Sequence, residues 1–234
     1  MSAGFLTKLN IFLKSTKLFK NWYVYPLVYF KLTKKDHVIF QTKTGLKIKI
    51  RVNSTDLMAL THVWMIQEYS NSDFEINDSD IVIDVGAHIG LFALFASQFC
   101  KRGKIFCFEP IKENYELLVE NINSNKIKNI IPFNFAVSKV SDSVKIFLND
   151  DYSGHSMFLE TNNFVIVKSK SLPDIFSENN IRECNFLKLD CEGAEYEIIN
   201  SLSPEFLSKI KKSAIEYHLA DTHPELLQQL IKKL

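Results

Sequence analysis

The chain has 234 residues, 46% hydrophobic and 24% charged, which suits one globular domain with a sizeable core and excludes a disordered or fibrous chain. A formal net charge of +1 gives no ground for a nucleic-acid partner. No run reaches the ~20 apolar residues that span a bilayer, and the start lacks the compact apolar core of a signal peptide. Cys100, Cys107, Cys184 and Cys191 lack the CxxC spacing of a metal site. They read as structural thiols of a reducing, cytoplasmic protein, possible membrane association aside.

Residues 1–35 stand apart, with seven lysines and no acid. Phe5, Leu9, Phe12, Leu13 and Phe19 recur near helical spacing, and an aromatic run follows from Trp22 to Phe30. Two readings stay open: a helix whose apolar face packs on the domain, or a basic amphipathic segment in peripheral contact with a membrane. Residues 36–79 form a lead-in. Strands at 37–40 and 46–52 flank the turn at Thr42–Gly45, and a helix begins near Asp56, capped by Ser54 or Thr55.

Residues 80–234 alternate strand and helix. Strands are predicted at 81–85, 104–108, 130–137, 186–189 and 212–217, with helices at 91–99, 114–123, 172–178, 194–202 and 224–234. Added strands at 144–148 and 164–167 enclose a polar loop. The alternation predicts a Rossmann-like α/β fold, a mostly parallel sheet flanked by helices. Such sheets bind ligands beyond the carboxyl ends of their strands, so the strand-ending residues carry the function.

The first strand ends Asp84-Val85-Gly86-Ala87-His88-Ile89-Gly90. Gly86 allows a sharp turn and close approach of a ligand to the backbone, and Gly90 lets the next helix pack closely. Roughly twenty residues beyond this loop, Glu109 ends the second strand, where a carboxylate can accept hydrogen bonds from both hydroxyls of a ribose. Ala87 and His88 stand where a dinucleotide fold has its middle glycine. Asp84 would repel a pyrophosphate but suits the cationic groups of S-adenosylmethionine. The fourth strand ends in Asp190, Glu192 and Glu195, and the fifth in Glu216 and His218. If those strands are neighbours, Asp190, Glu192, Glu216 and His218 converge on one crevice, although Glu192 and Glu195 also suit a helix N-terminus.

On these residues the chain resembles the FkbM family of methyltransferases. The matching pieces are Asp84–Gly90, Phe108-Glu109-Pro110, Asn134–Ser138, Ser153–Ser156, Lys188–Glu195 and Glu216–His218, within residues 37–220. The resemblance implies a class I methyltransferase fold, S-adenosylmethionine as donor, and O-methylation of a sugar, glycan or natural-product-like hydroxyl. It implies that Asp84, Gly86, Ala87 and Gly90 hold the methionine end, Glu109 the ribose, and Asn134 and Ala136 the adenine. The chain stops inside its last predicted helix, so the C-terminal strand pair usual in that fold is expected to be missing, through a shortened sheet or a truncated form.

Methyl transfer to a hydroxyl needs a general base. His218 is the first choice, with Glu216 or Asp190 orienting it or serving instead. Glu192, His155 and Ser156 are candidate acceptor contacts, and plain surface exposure of His155 is equally open. No metal is assigned; Mg²⁺ on Asp190, Glu216 and Glu192 is the lesser variant. An NAD-linked oxidoreductase and a catalytically silent interaction module are the alternatives from other classes.

Overall fold

A computed structural model describes residues 5–69, 75–148, 163–191, 193–218 and 223–234. The leading segment forms helices α1 (Phe5–Leu18) and α2 (Val24–Tyr29), then a hairpin of β1 (His37–Gln41) and β2 (Lys47–Arg51). Next comes α3 (Asp56–Leu60), which runs into a π-helix at Thr61–Ile66. The alternating part follows: β3 (Ile81–Val85), α4 (Leu91–Ala96), β4 (Lys104–Phe108), α5 (Lys112–Ser124) and β5 (Ile130–Phe133). It continues through β6 (Ala136–Val137), β7 (Asp142–Phe147), β8 (Phe164–Lys170), α6 (Leu172–Glu178) and β9 (Phe186–Leu189). The described chain closes with α7 (Glu195–Ser201), α8 (Pro204–Leu207), β10 (Ser213–Ile215) and α9 (Pro224–Lys233).

The central sheet has the order β10-β9-β3-β4-β5, every pair parallel. Its middle strands read as nearly unbroken apolar runs because helices cover both faces. From β3 the chain builds outward through β4 and β5, then returns to build β9 and β10 on the other side. The switch point therefore lies between β3 and β9, and a cleft opens at the carboxyl ends of these strands. This is the expected Rossmann-like architecture. Among the described residues no strand follows β10.

One buried cluster runs from Phe19, Tyr25 and Phe40 through Trp64 and Phe92 to Phe186, so the leading segment shares its core with the sheet. Lys14 donates to the Met65 carbonyl at 2.7 Å, and Tyr25 hydrogen-bonds Thr61 at 2.9 Å. The Trp64 indole donates to the Leu91 carbonyl at 3.1 Å, fixing the π-helix to α4. Among the described residues no helix is long and apolar enough to cross a membrane.

Three elements depart from their sequence patterns. The strand expected over 130–137 divides: β5 pairs with β4, and β6 joins β8 and β7 in a separate sheet. Asn134 holds the bend by donating its side-chain amide to the carbonyls of Glu109 and Pro110 at 2.9 and 3.1 Å. The helix after Asp56 becomes a π-helix, and Gln67 ends it in the left-handed conformation at φ 59°. Thr55 sits at the cap position without a side-chain cap bond, while Ser54 accepts from the Asp56 N–H at 3.2 Å. Finally β10 stops at Ile215, so Glu216 and His218 lie just beyond it.

Candidate active site

The cleft at the switch point is a cavity of about 240 Å³. Its floor is the turn after β3. Gly86 takes φ +73°, and a Cβ there would stand 1.7 Å from the Asp190 carbonyl oxygen. The absent side chain thus admits the backbone of Asp190 just after β9, where the sequence alone suggested a ligand. Gly90 takes φ +84°, and its missing side chain makes room for Leu118 of α5, 2.4 Å from the Cβ position. Gly86 and Ala87 line the cavity; Gly90 does not.

Glu109 meets this turn directly. One carboxylate oxygen accepts from the His88 N–H at 2.8 Å; the other accepts from the Ile111 N–H at 2.9 Å and from Asn114 at 3.4 Å. Burial lifts its pKa to about 7 against those three stabilising bonds. Ala136, Val137, Ile111 and Ile146 form an apolar wall on this part of the cavity. Asn134 is not in the lining; its amide is used in the bend.

Asp84 is fully buried and does not line the cavity. It lies beside Lys188 in the parallel ladder, and the Lys188 ammonium stands 3.1 Å from its carboxylate. Lys188 also donates to the Gly86 carbonyl at 3.0 Å and stands 3.3 Å from Asp190. Burial alone would lower its pKa, but Asp84 and Asp190 outweigh that and hold it well above the ordinary lysine value. The Asp84 charge is therefore met by a lysine. Among the described residues, the carboxylates that reach the cavity are Glu68, Glu109, Asp190 and Glu216.

Asp190 and Glu216 sit at neighbouring strand ends, as expected. The Tyr69 hydroxyl lies between them, 3.3 Å from Asp190 and 3.2 Å from Glu216. Burial and the nearby Asp190 raise the Glu216 pKa. His218 stands beside this pair, outside the lining, with Nε2 3.9 Å from Glu216. Its Nδ1 is 3.0 Å from Glu195, and its carbonyl accepts from the Tyr196 hydroxyl. Glu195 also accepts from the N–H groups of Cys191 and Gly193, both at 2.8 Å. The histidine is thus oriented by Glu195, where the sequence suggested Glu216 or Asp190. Atoms of Asp190, Glu216 and His218 lie within 4.8 Å of one another, a grouping that could hold a divalent cation. Glu192, His155 and Ser156 lie outside the described residues.

Several residues of the site take roles that local spacing does not reveal. Lys188 meets Asp84 and Gly86, and Tyr69 meets Asp190 and Glu216, all more than a hundred positions away. His62 lines the cavity and pairs with Glu68 at 3.1 Å. That hydrogen bond raises its pKa against the effect of burial. His88, in the left-handed conformation at φ 51°, puts its ring 2.9 Å from Arg51 and 3.4 Å from Asp56. Burial lowers its pKa to about 4, so the ring is neutral and ties the turn to the hairpin. Among the cysteines only Cys191 reaches the cavity, and burial raises all four thiols above their ordinary value.

Residues 84–234 match the family described as "Methyltransferase FkbM domain". The chain is 23% identical over 159 residues to the hexuronic acid methyltransferase AglP of Haloferax volcanii, covering 68% of this chain and 64% of that one. It is 21% identical over 161 residues to Methyltransferase 1 of Beauveria bassiana, covering 59% and 65%. The matched region thus spans less than two thirds of either relative. Among solved structures, an FkbM methyltransferase from Methylobacillus flagellatus aligns with a TM-score of 0.45 at 16% identity, over 95% of this chain and 53% of that one.

Proposed function

The chain belongs to the FkbM methyltransferase family, and from that premise we propose that its cleft binds S-adenosylmethionine and methylates a hydroxyl of a sugar or sugar-like acceptor. One observation carries the reading: a single cavity holds the Glu109 carboxylate beside the Gly86–Ala87 turn and the Asp190–Glu216 pair at the neighbouring strand ends. The donor set fits the ligand. Glu109 offers acceptor oxygens for a ribose diol, and the apolar wall of Ala136, Val137, Ile111 and Ile146 offers a place for adenine. Asp190, with a 27% exposed side chain, offers a counter-charge for a cationic methionine end. Asp84 contributes indirectly by fixing Lys188, which in turn fixes Gly86 and Asp190.

Bound S-adenosylmethionine would supply a methyl group activated by a positive sulfur. The chain's own residues then have two tasks: to align the acceptor oxygen and to take its proton. Glu195 holds His218 through Nδ1, which leaves Nε2 as the basic nitrogen. His218 accepts the proton of the acceptor hydroxyl at Nε2. Glu216, 3.9 Å away, stabilises the resulting imidazolium. Tyr69 keeps Asp190 and Glu216 in place by hydrogen-bonding both. His88 fills the middle-glycine position of a dinucleotide turn with a packed side chain, which disfavours a nicotinamide cofactor.

A glycan acceptor draws support from the AglP relative, which is named for a hexuronic acid. The test is transfer of a labelled methyl group to a panel of hydroxylated sugars that includes hexuronosides. Label on a sugar oxygen, undiminished by EDTA, is the expected result. Label confined to carbon or nitrogen would overturn O-methylation, and abolition by EDTA would move Asp190, Glu216 and His218 into a metal site.

A further inference from the structure

We propose that the outer face of α1 and α2 docks on an anionic lipid surface. The helix α2 has two apolar faces. Tyr25 and Val28 point inward and are buried. Tyr23, Leu27 and Phe30, at spacings of four and three residues, share the other face and are 56%, 39% and 65% exposed. Trp22, 40% exposed, continues this stripe: its ring lies 6.4 Å from Tyr23 and 5.7 Å from Phe12 of α1. Leu9 and Leu13, one turn apart on α1, are 43% and 50% exposed. Exposed apolar side chains are ordinary when scattered, but a connected stripe marks a surface with a partner.

Charge identifies the partner. The chain has 28 basic and 27 acidic residues, and the first 35 hold seven lysines and no acid, leaving 21 basic against 27 acidic in the remainder. The positive charge is thus concentrated on the elements that bear the stripe. Lys8, Lys17, Lys20 and Lys31 are all exposed around it. Aromatic rings with a polar edge, set among long lysines, match the boundary between lipid headgroups and acyl chains. Each lysine gains further from a negative leaflet. The buried face of the same helices is fixed to the core through Phe19, Tyr25 and Val28, so the segment meets the lipid already folded.

The inference is independent of the proposed chemistry. Its test is sedimentation of the full chain with vesicles of phosphatidylcholine alone and of phosphatidylcholine mixed with phosphatidylglycerol. Anionic vesicles should bind at least about tenfold more tightly, and salt should weaken the binding. Trp64 is 2% exposed, so a blue shift of tryptophan emission on binding reports Trp22. The combined variant Tyr23→Ser, Leu27→Ser, Phe30→Ser should lose about tenfold in binding. Lys17→Glu with Lys20→Glu, both exposed, should do the same and guards against loss of fold in the first variant. Equal binding to neutral vesicles, no binding to either kind, or full binding by both folded variants would overturn the proposal. Dimerisation without lipid that the apolar variant abolishes would also overturn it, assigning the stripe to a second copy of the chain.

Discussion

On the β3–β4 side of the cleft, Glu109 accepts hydrogen bonds from two backbone N–H groups and from Asn114, and it is almost wholly buried. On the β9–β10 side, Asp190 and Glu216 share one tyrosine hydroxyl, and half of the Glu216 side chain meets solvent. The first side is set by main-chain geometry, which substitution elsewhere hardly moves. The second is set by side chains that titrate and can be exchanged singly. A preformed cradle for the donor's nucleoside faces a chemically active edge where the acceptor and the donor's methionine end meet. Substitutions on the first side should therefore act on folding and donor affinity, those at Glu216 and His218 on turnover, and those at Asp190 on both.

The largest expected effect lies on the second side. His218→Ala should lower kcat by about 10²–10⁴, the usual range for a lost general base, with donor affinity unchanged. Steady-state kinetics beside calorimetry would read both, and unchanged kcat would remove His218 from its role. On the first side, Gly86→Ala forces a Cβ to within 1.7 Å of the Asp190 carbonyl at a positive φ. It should cost about 3 kcal/mol in urea unfolding. Wild-type stability would show that β9 yields, and the cradle would then be softer than described.

Titration sharpens the contrast. Burial raises the Glu109 pKa from 4.5 to about 7, so the folded state holds the proton more tightly than the unfolded chain. That stabilising contribution is complete below the unfolded value of 4.5 and is lost as pH rises through about 7. Wild-type protein should lose about 2–3 kcal/mol between about pH 5 and pH 8 that Glu109→Gln does not lose. Parallel denaturation curves for the two would contradict the assignment. The smallest effect is expected from Tyr69→Phe, which removes one hydroxyl shared by two acids. It should cost about 1 kcal/mol in stability. It should also raise the acid limb of the pH–rate profile, because the Tyr69 bond holds the Glu216 pKa down. An unmoved acid limb would place Glu216 outside the proton path.

The two sides also differed in how far the sequence revealed them. The strand positions, the glycine turn and Glu109 follow from apolar runs and short spacings, signals that lie within one βαβ unit, whereas the strand order comes only from the fold. The pairing of Asp84 with Lys188 does not, because it arises only when β3 and β9 become neighbours across a hundred residues. The same holds for the crowding at Gly86, whose near neighbour is the Asp190 backbone just after β9, and for Glu195, which reads as a helix-start acid yet orients His218. The π-helix was hidden because the apolar period after Asp56 fits an ordinary helix, and the inserted residue shows only in the backbone.

The most direct measurement is calorimetric titration of S-adenosylhomocysteine into the full chain and into Glu109→Ala. A donor site built on Glu109 predicts one bound ligand per wild-type chain, weakened by about 10- to 100-fold in the variant, and no heat from NAD. A folded wild-type chain that takes up no S-adenosylhomocysteine, or a variant that binds it at full strength, would contradict it.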